Sequence, residues 1–255
     1  MKKISKKRKI ALEGGLRGEK EKECNEAIVR IFEKAALPVE TRLDNFPKYV
    51  KRQRITRFIS LYELFKKVLS VKGSIVECGV HQGFGLMTWA QLSSILEPVN
   101  LTRRIYGFDT FGGFPSVHTE DRNSNSEIKS GALSADSIEE LKEILEIYDA
   151  NRFLGHIQKV NLIKGDAIKT IPEFMRDNKH LVISLLFLDF DLFEPTRVAI
   201  ENFYPRMPKG SIIAFDELDN PIWPGETLAL LKTLGINKLK IERFNFDPYI
   251  GFTVL

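Results

Sequence analysis

The chain has 255 residues, 43% hydrophobic and 28% charged, which is the size of one α/β domain or of a domain with an appendage. Two cysteines, Cys24 and Cys78, exclude a disulfide framework and suit a reducing compartment. No apolar run approaches the ~20 residues of a membrane span, and the basic start lacks the apolar core of a signal peptide, so a cytoplasmic protein with no membrane partner is expected. The net charge of +4 is local: Lys2, Lys3, Lys6, Lys7, Arg8 and Lys9 supply six positive charges, leaving the rest of the chain at −2. Basicity belongs to a tail, and a nucleic-acid partner is not expected.

In chain order, residues 1–20 read as a disordered basic tail, because short like-charge runs repel. Residues 21–72 read as a helical cap, with amphipathic helices over 22–36 and 53–70. In the second, Ile55, Phe58, Ile59, Tyr62, Phe65 and Leu69 fall on one stripe expected to face the core. Arg52, Arg54 and Arg57 lie off that stripe; they are within reach of a ligand carboxylate, but a solvated face is the reading taken.

From residue 74 strand and helix alternate. Strands are expected at 74–79, 104–109, 160–163, 182–190 and 211–215, with helices at 86–96, 168–176, 195–204 and 226–234. That alternation means a parallel sheet with right-handed crossovers. Two further β-rich runs, 238–246 and 249–255, joined at Asp247-Pro248, read as a hairpin adding an antiparallel edge. Between Pro115 and Ala150 the chain is polar, with Asn123, Ser124, Asn125 and Ser126, then helical near 137–148. An insertion of this length above the ligand face reads as a lid, with plain surface disorder an equal alternative.

Chemistry concentrates at the carboxyl ends of the strands, where a parallel sheet presents its ligand crevice. The segment VECGVHQGFG (Val76–Gly85) places Glu77, Gly79, Val80, His81, Gly83 and Gly85 in a turn after the first strand. The spacing is G-x-x-x-G-x-G, not the G-x-G-x-x-G of a pyrophosphate cradle, and Glu77 would repel a diphosphate. An acid there suits a cationic ligand, and S-adenosylmethionine carries both an ammonium and a sulfonium. In YGFDTFGGFP (Tyr106–Pro115), Asp109, with Thr110 beside it, is placed to accept hydrogen bonds from ribose hydroxyls. In KGDAIKTIP (Lys164–Pro172), Asp166, followed by Ala167, is placed to reach an adenine amino group or to cap a helix.

The other two segments are LDFDLFEPT (Leu188–Thr196) and IIAFDELDNPIWPGE (Ile212–Glu226). Asp189 and Asp191 project from one strand face. If the two strands are neighbours, Asp189, Asp191, Asp216 and Glu217 share one small volume. They cannot all stay ionised there without a cation or a shared proton, and a hard metal resolves this most simply. His81 in the glycine loop and His118 in the lid are within reach of a ligand, with a solvated loop histidine the commoner reading, while Phe111, Phe114 and Trp223 are candidate walls of an acceptor pocket or simply core.

Together IVECGV, YGFDTFGGFP, LDFDLFEPT and the acid pair before a P-G-E turn resemble the macrocin O-methyltransferase family over roughly Tyr49–Leu255. The resemblance implies a Rossmann-like class I methyltransferase fold occupying residues 73–255: a mainly parallel seven-stranded α/β sheet with a C-terminal antiparallel hairpin and N-terminal helices. It implies S-adenosylmethionine and magnesium as cofactors and a sugar-containing small molecule as acceptor. Carried over by position, Asp189 is a metal ligand that also borders the cofactor, Asp191 is the general base, and Asp216 and Glu217 complete the metal site. Glu217 stands where family members carry a second aspartate, and Asp219 is a possible substitute. A sugar hydroxyl is a weak acid, so magnesium would lower its pKa and Asp191 would take the proton. The alternatives are a catechol-type O-methyltransferase, a nicotinamide-dependent oxidoreductase and a non-catalytic binding protein. The N-terminal helices are a candidate surface for a homo-oligomer.

Overall fold

The computed structural model describes residues 18–122 and 128–255. Most of the expected basic tail, and Asn123–Ser126 of the expected lid, lie outside the described residues. Helices α1 (Glu19–Lys34), α2 (Val39–Asp44) and α3 (Arg52–Lys67) precede strand β1 (Ser74–Cys78). Then come α4 (Phe84–Leu96), β2 (Ile105–Asp109), α5 (Ile138–Asn151), β3 (Val160–Lys164), α6 (Ala167–Asp177) and β4 (Ile183–Leu188). The chain continues through α7 (Phe193–Phe203), β5 (Ile212–Phe215), α8 (Gly225–Thr233), β6 (Glu242–Arg243) and β7 (Gly251–Val254). Every expected element is present, but β6 and β7 are much shorter than the β-rich runs that announced them.

The strands form one seven-stranded sheet in the order β3-β2-β1-β4-β5-β7-β6, parallel except for β7, which runs antiparallel to both β5 and β6. β1 and β4 are buried along their whole length, as expected for central strands covered on both faces. On one face Ile75, Leu185, Phe187 and Ile212 pack against Leu64, Phe65, Trp89 and Leu141 from α3, α4 and α5. On the other, Val76, Leu186, Leu188 and Ile213 pack against Ile171, Val198, Phe203 and Leu230 from α6, α7 and α8. The result is a three-layer sandwich. At the end of the sheet away from the carboxyl termini, buried Arg103 donates to the carbonyls of Val68, Val71 and Gly73, each at 3.0 Å, tying α3 to β1.

Two expectations need correction. The buried side of α3 carries Ser60, Leu61, Leu64 and Phe65, whereas Phe58, Ile59 and Leu69 are exposed. The stripe was misplaced by about one residue per turn, because several apolar residues on this helix face outward. This rotation turns Arg57, one helical turn before Leu61, toward the sheet. The second concerns the lid. Its described C-terminal part is the ordered helix α5, which buries Ile138, Leu141, Leu145 and Tyr148 in the core. Helix α1 buries no residue, and Val29, Ile31, Val39, Leu43 and Phe46 of the cap are exposed.

From β1 the chain passes to β2 and β3 on one side and later to β4 and β5 on the other, so the crevice opens beyond the ends of β1 and β4. The backbones there nearly touch. Gly79 has φ +96°, and a Cβ on it would lie 1.9 Å from the Asp189 carbonyl oxygen. Gly79→Ala is therefore expected to lower stability by about 2–4 kcal/mol, through a positive φ and a backbone clash together. Chemical denaturation checks this, and an unchanged midpoint would contradict the close approach.

Candidate active site

Beyond the strand ends lies a cavity of about 920 Å³, large enough for two small molecules side by side. Gly79, His81, Asp109, Thr110, Asp166, Ala167, Asp189, Asp191, Asp216 and Glu217 line it. Glu77, Val80, Gly83 and Gly85 do not. Val80 is a core side chain. Gly83 makes room for Leu141 of α5, and Gly85 for the Glu77 carboxyl, whose Oε1 would be 2.0 Å from a Cβ there. Burial first, and Asp189 second, push the Glu77 carboxyl well above the usual range. Behind the cavity wall the Trp89 indole only partly offsets that burial, so the acid is held there at a cost that a cation would relieve.

Asp109 organises the first half of the cavity. Its Oδ2 accepts the His81 N–H at 2.7 Å and its Oδ1 accepts the Phe111 N–H at 2.6 Å. Each carboxylate oxygen has a second lone pair for a ligand hydroxyl. The Ser137 hydroxyl donates to the His81 carbonyl at 2.7 Å, so the start of α5 pins the glycine turn. Asp166 caps α6 by accepting the Ile168 N–H at 3.1 Å and also faces the cavity. The two roles weighed for it are compatible. Phe114 and Trp223 line the cavity with ring centroids 6.0 Å apart, whereas Phe111 is buried in the core. His118 accepts the Glu120 N–H and caps a short turn instead of lining the cavity.

The second half is acidic, with the Arg57 guanidinium set among its carboxylates. Arg57 Nη2 donates to Asp189 Oδ2 at 2.7 Å, and Nη1 pairs with Asp216 Oδ1. The guanidinium also lies over the Phe187 ring, 5.0 Å from its centroid. The solvated-face reading of Arg57 was thus mistaken, and its place on the face of Leu61, Leu64 and Phe65 was the available signal. Arg52 and Arg54 are exposed but line the same cavity. Burial raises the Asp189 carboxyl despite Arg57, which pulls it back. Burial likewise pushes Glu217 up to about 7, opposed by a hydrogen bond from Asn220. Asp219 is exposed and is not part of the cavity lining.

Asp189 and Asp191 gather with a third acid, Glu226, their side-chain oxygens within 4.8 Å of one another. Glu226 is fully buried at the first turn of α8, and burial pushes its carboxyl well above the usual range. Sequence reasoning passed over it, since an acid at a helix start reads as ordinary dipole compensation. Buried Asp121 was missed too. Its oxygens accept the N–H groups of Phe193 at 2.7 Å and His118 at 3.0 Å, tying the segment before α5 to the start of α7.

A parallel sheet with its cavity at the β1/β4 switch point, a glycine turn after β1, acids at the ends of β2, β3, β4 and β5, and an antiparallel β7 define a class I methyltransferase. Residues 48–230 match the family described as Macrocin-O-methyltransferase (TylF). The chain belongs to that family: it is an O-methyltransferase that uses S-adenosylmethionine, which sets aside the nicotinamide-dependent alternative. It is similar to CalS11, described as a calicheamicin methyltransferase, at 36% identity, covering 93% of each chain with a TM-score of 0.88. A second structure of CalS11, described as a TDP-rhamnose 3'-O-methyltransferase, matches at 34% identity over 93% of this chain and 95% of that one, with a TM-score of 0.80. A Streptomyces olivaceus 4'-O-methyltransferase of a rhamnosyl tetracenomycin is 26% identical over 58% of this chain. That match spans 53% of the relative, about half its length.

Arg57→Ala leaves Asp189 and Asp216 partly buried without their counter-charge. At neutral pH it is expected to cost about 1–2 kcal/mol, a buried-pair loss discounted for the solvent these groups retain. The cost should shrink as pH falls, because the unpaired carboxyls take up protons. Thermal unfolding at pH 5 and pH 7.5 checks both, and equal stability of variant and parent at both pH values would contradict the pairing.

Proposed function

We propose that this chain transfers the methyl group of S-adenosylmethionine to a hydroxyl of a sugar-containing small molecule, with magnesium held among the acids beyond β4 and β5. The observation that carries the reading is the convergence of Asp189, Asp191, Asp216 and Glu217 on one cavity that also holds Asp109, Asp166 and Gly79. The donor set of Asp189, Asp216 and Glu217 offers only oxygens, as a hard cation requires. Arg57 already neutralises two of these carboxylates, so a metal would bind in place of its ion pairs.

Residues at the ends of β1, β2 and β3 hold the methyl donor. Asp109 and Thr110 fit its ribose, Asp166 with Ala167 its adenine, and buried Glu77 favours its positive charge from behind the glycine turn. Gly79 lines the same half of the cavity and lets β1 end against Asp189. Bound magnesium would lower the pKa of the acceptor hydroxyl. Asp191 takes the hydroxyl proton as the oxygen–methyl bond forms and the methyl–sulfur bond breaks, leaving S-adenosylhomocysteine. Phe114 and Trp223 supply flat walls against a sugar ring. Lys51, Arg52 and Arg54 at the same cavity favour an anionic acceptor, and a sugar nucleotide such as the TDP-rhamnose named for CalS11 meets that requirement. The two free thiols suit a cytoplasmic setting, and the exposed apolar residues of α1 and α2 suit association of copies of the chain.

With TDP-rhamnose as acceptor, methyl transfer is expected in magnesium and is expected to fall by at least ~100-fold in excess chelator, while S-adenosylhomocysteine still binds. Asp191→Asn should lower kcat by ~10²–10⁴-fold with little change in donor affinity. Full turnover in chelator would remove the metal, and full turnover of Asp191→Asn would remove the base. Because burial pushes the Glu217 carboxyl up to about 7, protons compete with the metal below that pH. The magnesium needed for half-saturation should rise by up to ~10-fold per unit as pH falls below 7. A pH-independent magnesium requirement between pH 6 and 8 would exclude Glu217 as a ligand.

A further inference from the structure

We propose that Glu226 is a positioning residue whose buried carboxylate locks together the two acid-bearing loops, fixing Asp191 toward the acceptor. The inference rests on the reading of Asp191 as the group that takes the hydroxyl proton.

The geometry is a two-armed clamp. Glu226 Oε1 accepts the N–H of Asp191 at 3.2 Å, and Oε2 accepts the N–H of Glu217 at 3.1 Å. One side chain, 0% exposed, thus joins the loop after β4 to the loop after β5. Asp191 has φ +62°, a left-handed conformation that residues other than glycine adopt sparingly and keep where the surroundings impose it. Glu226 imposes it from one side. On the other, Asp121 accepts the N–H of Phe193 at 2.7 Å, two residues further along the same loop.

Gly225 makes the approach possible. A Cβ there would meet Phe193 N at 2.4 Å, Asp121 Oδ1 at 2.6 Å and the Asp191 carbonyl oxygen at 2.6 Å. The start of α8 is therefore set directly against the loop that carries Asp191. The clamp needs both oxygens of an extended carboxylate; burial raises this carboxyl, and the N–H of Glu217 that it accepts draws it back toward ionisation. A glutamine can accept one of the two N–H groups, but its amide nitrogen faces the other as a second donor. An aspartate is one methylene too short to reach as far.

The rival reading makes Glu226 a third metal ligand, since its oxygens lie near those of Asp189 and Asp191. The two readings differ in what a substitution should disturb. Kinetics with S-adenosylmethionine and TDP-rhamnose would be measured for the parent, Glu226→Gln, Asp191→Asn and the double variant. Hydrogen exchange of residues 189–193 and 216–219 would be followed in the same proteins, and manganese binding by calorimetry.

Glu226→Gln is expected to lower kcat by ~100-fold while the KM for S-adenosylmethionine stays within about threefold. In the Asp191→Asn background it should cost less than about threefold, because the residue it orients is already disabled. Both loops should exchange at least ~10-fold faster while β4 is unchanged. Additive losses, an unchanged kcat, or unchanged loop exchange would each overturn the proposal. Weaker manganese binding with unaltered loop exchange would also overturn it and make Glu226 a ligand. If Asp191→Asn turns over at the parent rate, the base reading itself fails, an outcome separate from an inactive Asp191→Asn beside an active Glu226→Gln. Glu226→Asp, which keeps the charge and loses the reach, is read by the same criteria if the glutamine variant does not fold.

Discussion

The constraint on which this structure depends is the crowding of carboxylates where β1, β4 and β5 end. Asp189, Asp191, Asp216, Glu217 and Glu226 share a volume in which several of them are partly or wholly removed from water. Charges of one sign at such distances repel strongly in a medium of reduced dielectric, and burial alone raises the carboxyls of Asp189, Glu217 and Glu226. The fold answers with the Arg57 guanidinium and with backbone N–H groups directed at buried acids. The chemistry follows from the same crowding. Acids held near neutrality by burial and drawn toward ionisation by a cation are suited to bind a metal and to accept a proton.

The crowding is built by backbone proximity. Gly79 lets β1 and β4 end almost in contact, and Gly225 lets α8 start against the loop beyond β4. Glu226 and Asp121 then hold that loop by its N–H groups. Each device costs something in isolation, whether a buried charge, a left-handed aspartate or a glycine inside an ordered element. Their occurrence around one loop marks where the scaffold concentrates its rigidity, as preorganised catalysis requires.

Much of this was legible in the sequence. Strand–helix alternation gave the parallel sheet, and acids at the ends of apolar runs gave the cavity wall, because both follow from local pattern. Asp109, Asp166, Asp189, Asp191, Asp216 and Glu217 do meet at one cavity. What stayed hidden depended on rotation and depth. The α3 stripe was misread because Phe58 and Ile59 are apolar yet exposed, and Arg57 was consequently turned away from the acids it joins. Glu226 was invisible as a buried group because no local pattern distinguishes a helix-start glutamate in water from one beneath a catalytic loop. Glu77 and Gly85 were read as ligand contacts, whereas Gly85 chiefly makes room for the Glu77 side chain behind the wall.

A cation exchanged at the acid cluster would link the Arg57 ion pairs to the chemistry. The most direct test is a crystal structure with manganese and S-adenosylhomocysteine, recorded at a wavelength that reveals the metal by its anomalous scattering. A metal peak is expected in contact with Asp189 and Asp216, with the Arg57 guanidinium withdrawn from at least one of them. No peak there at saturating manganese, with Arg57 still bridging both carboxylates, would contradict that exchange and leave Arg57 as the resident cation of the site.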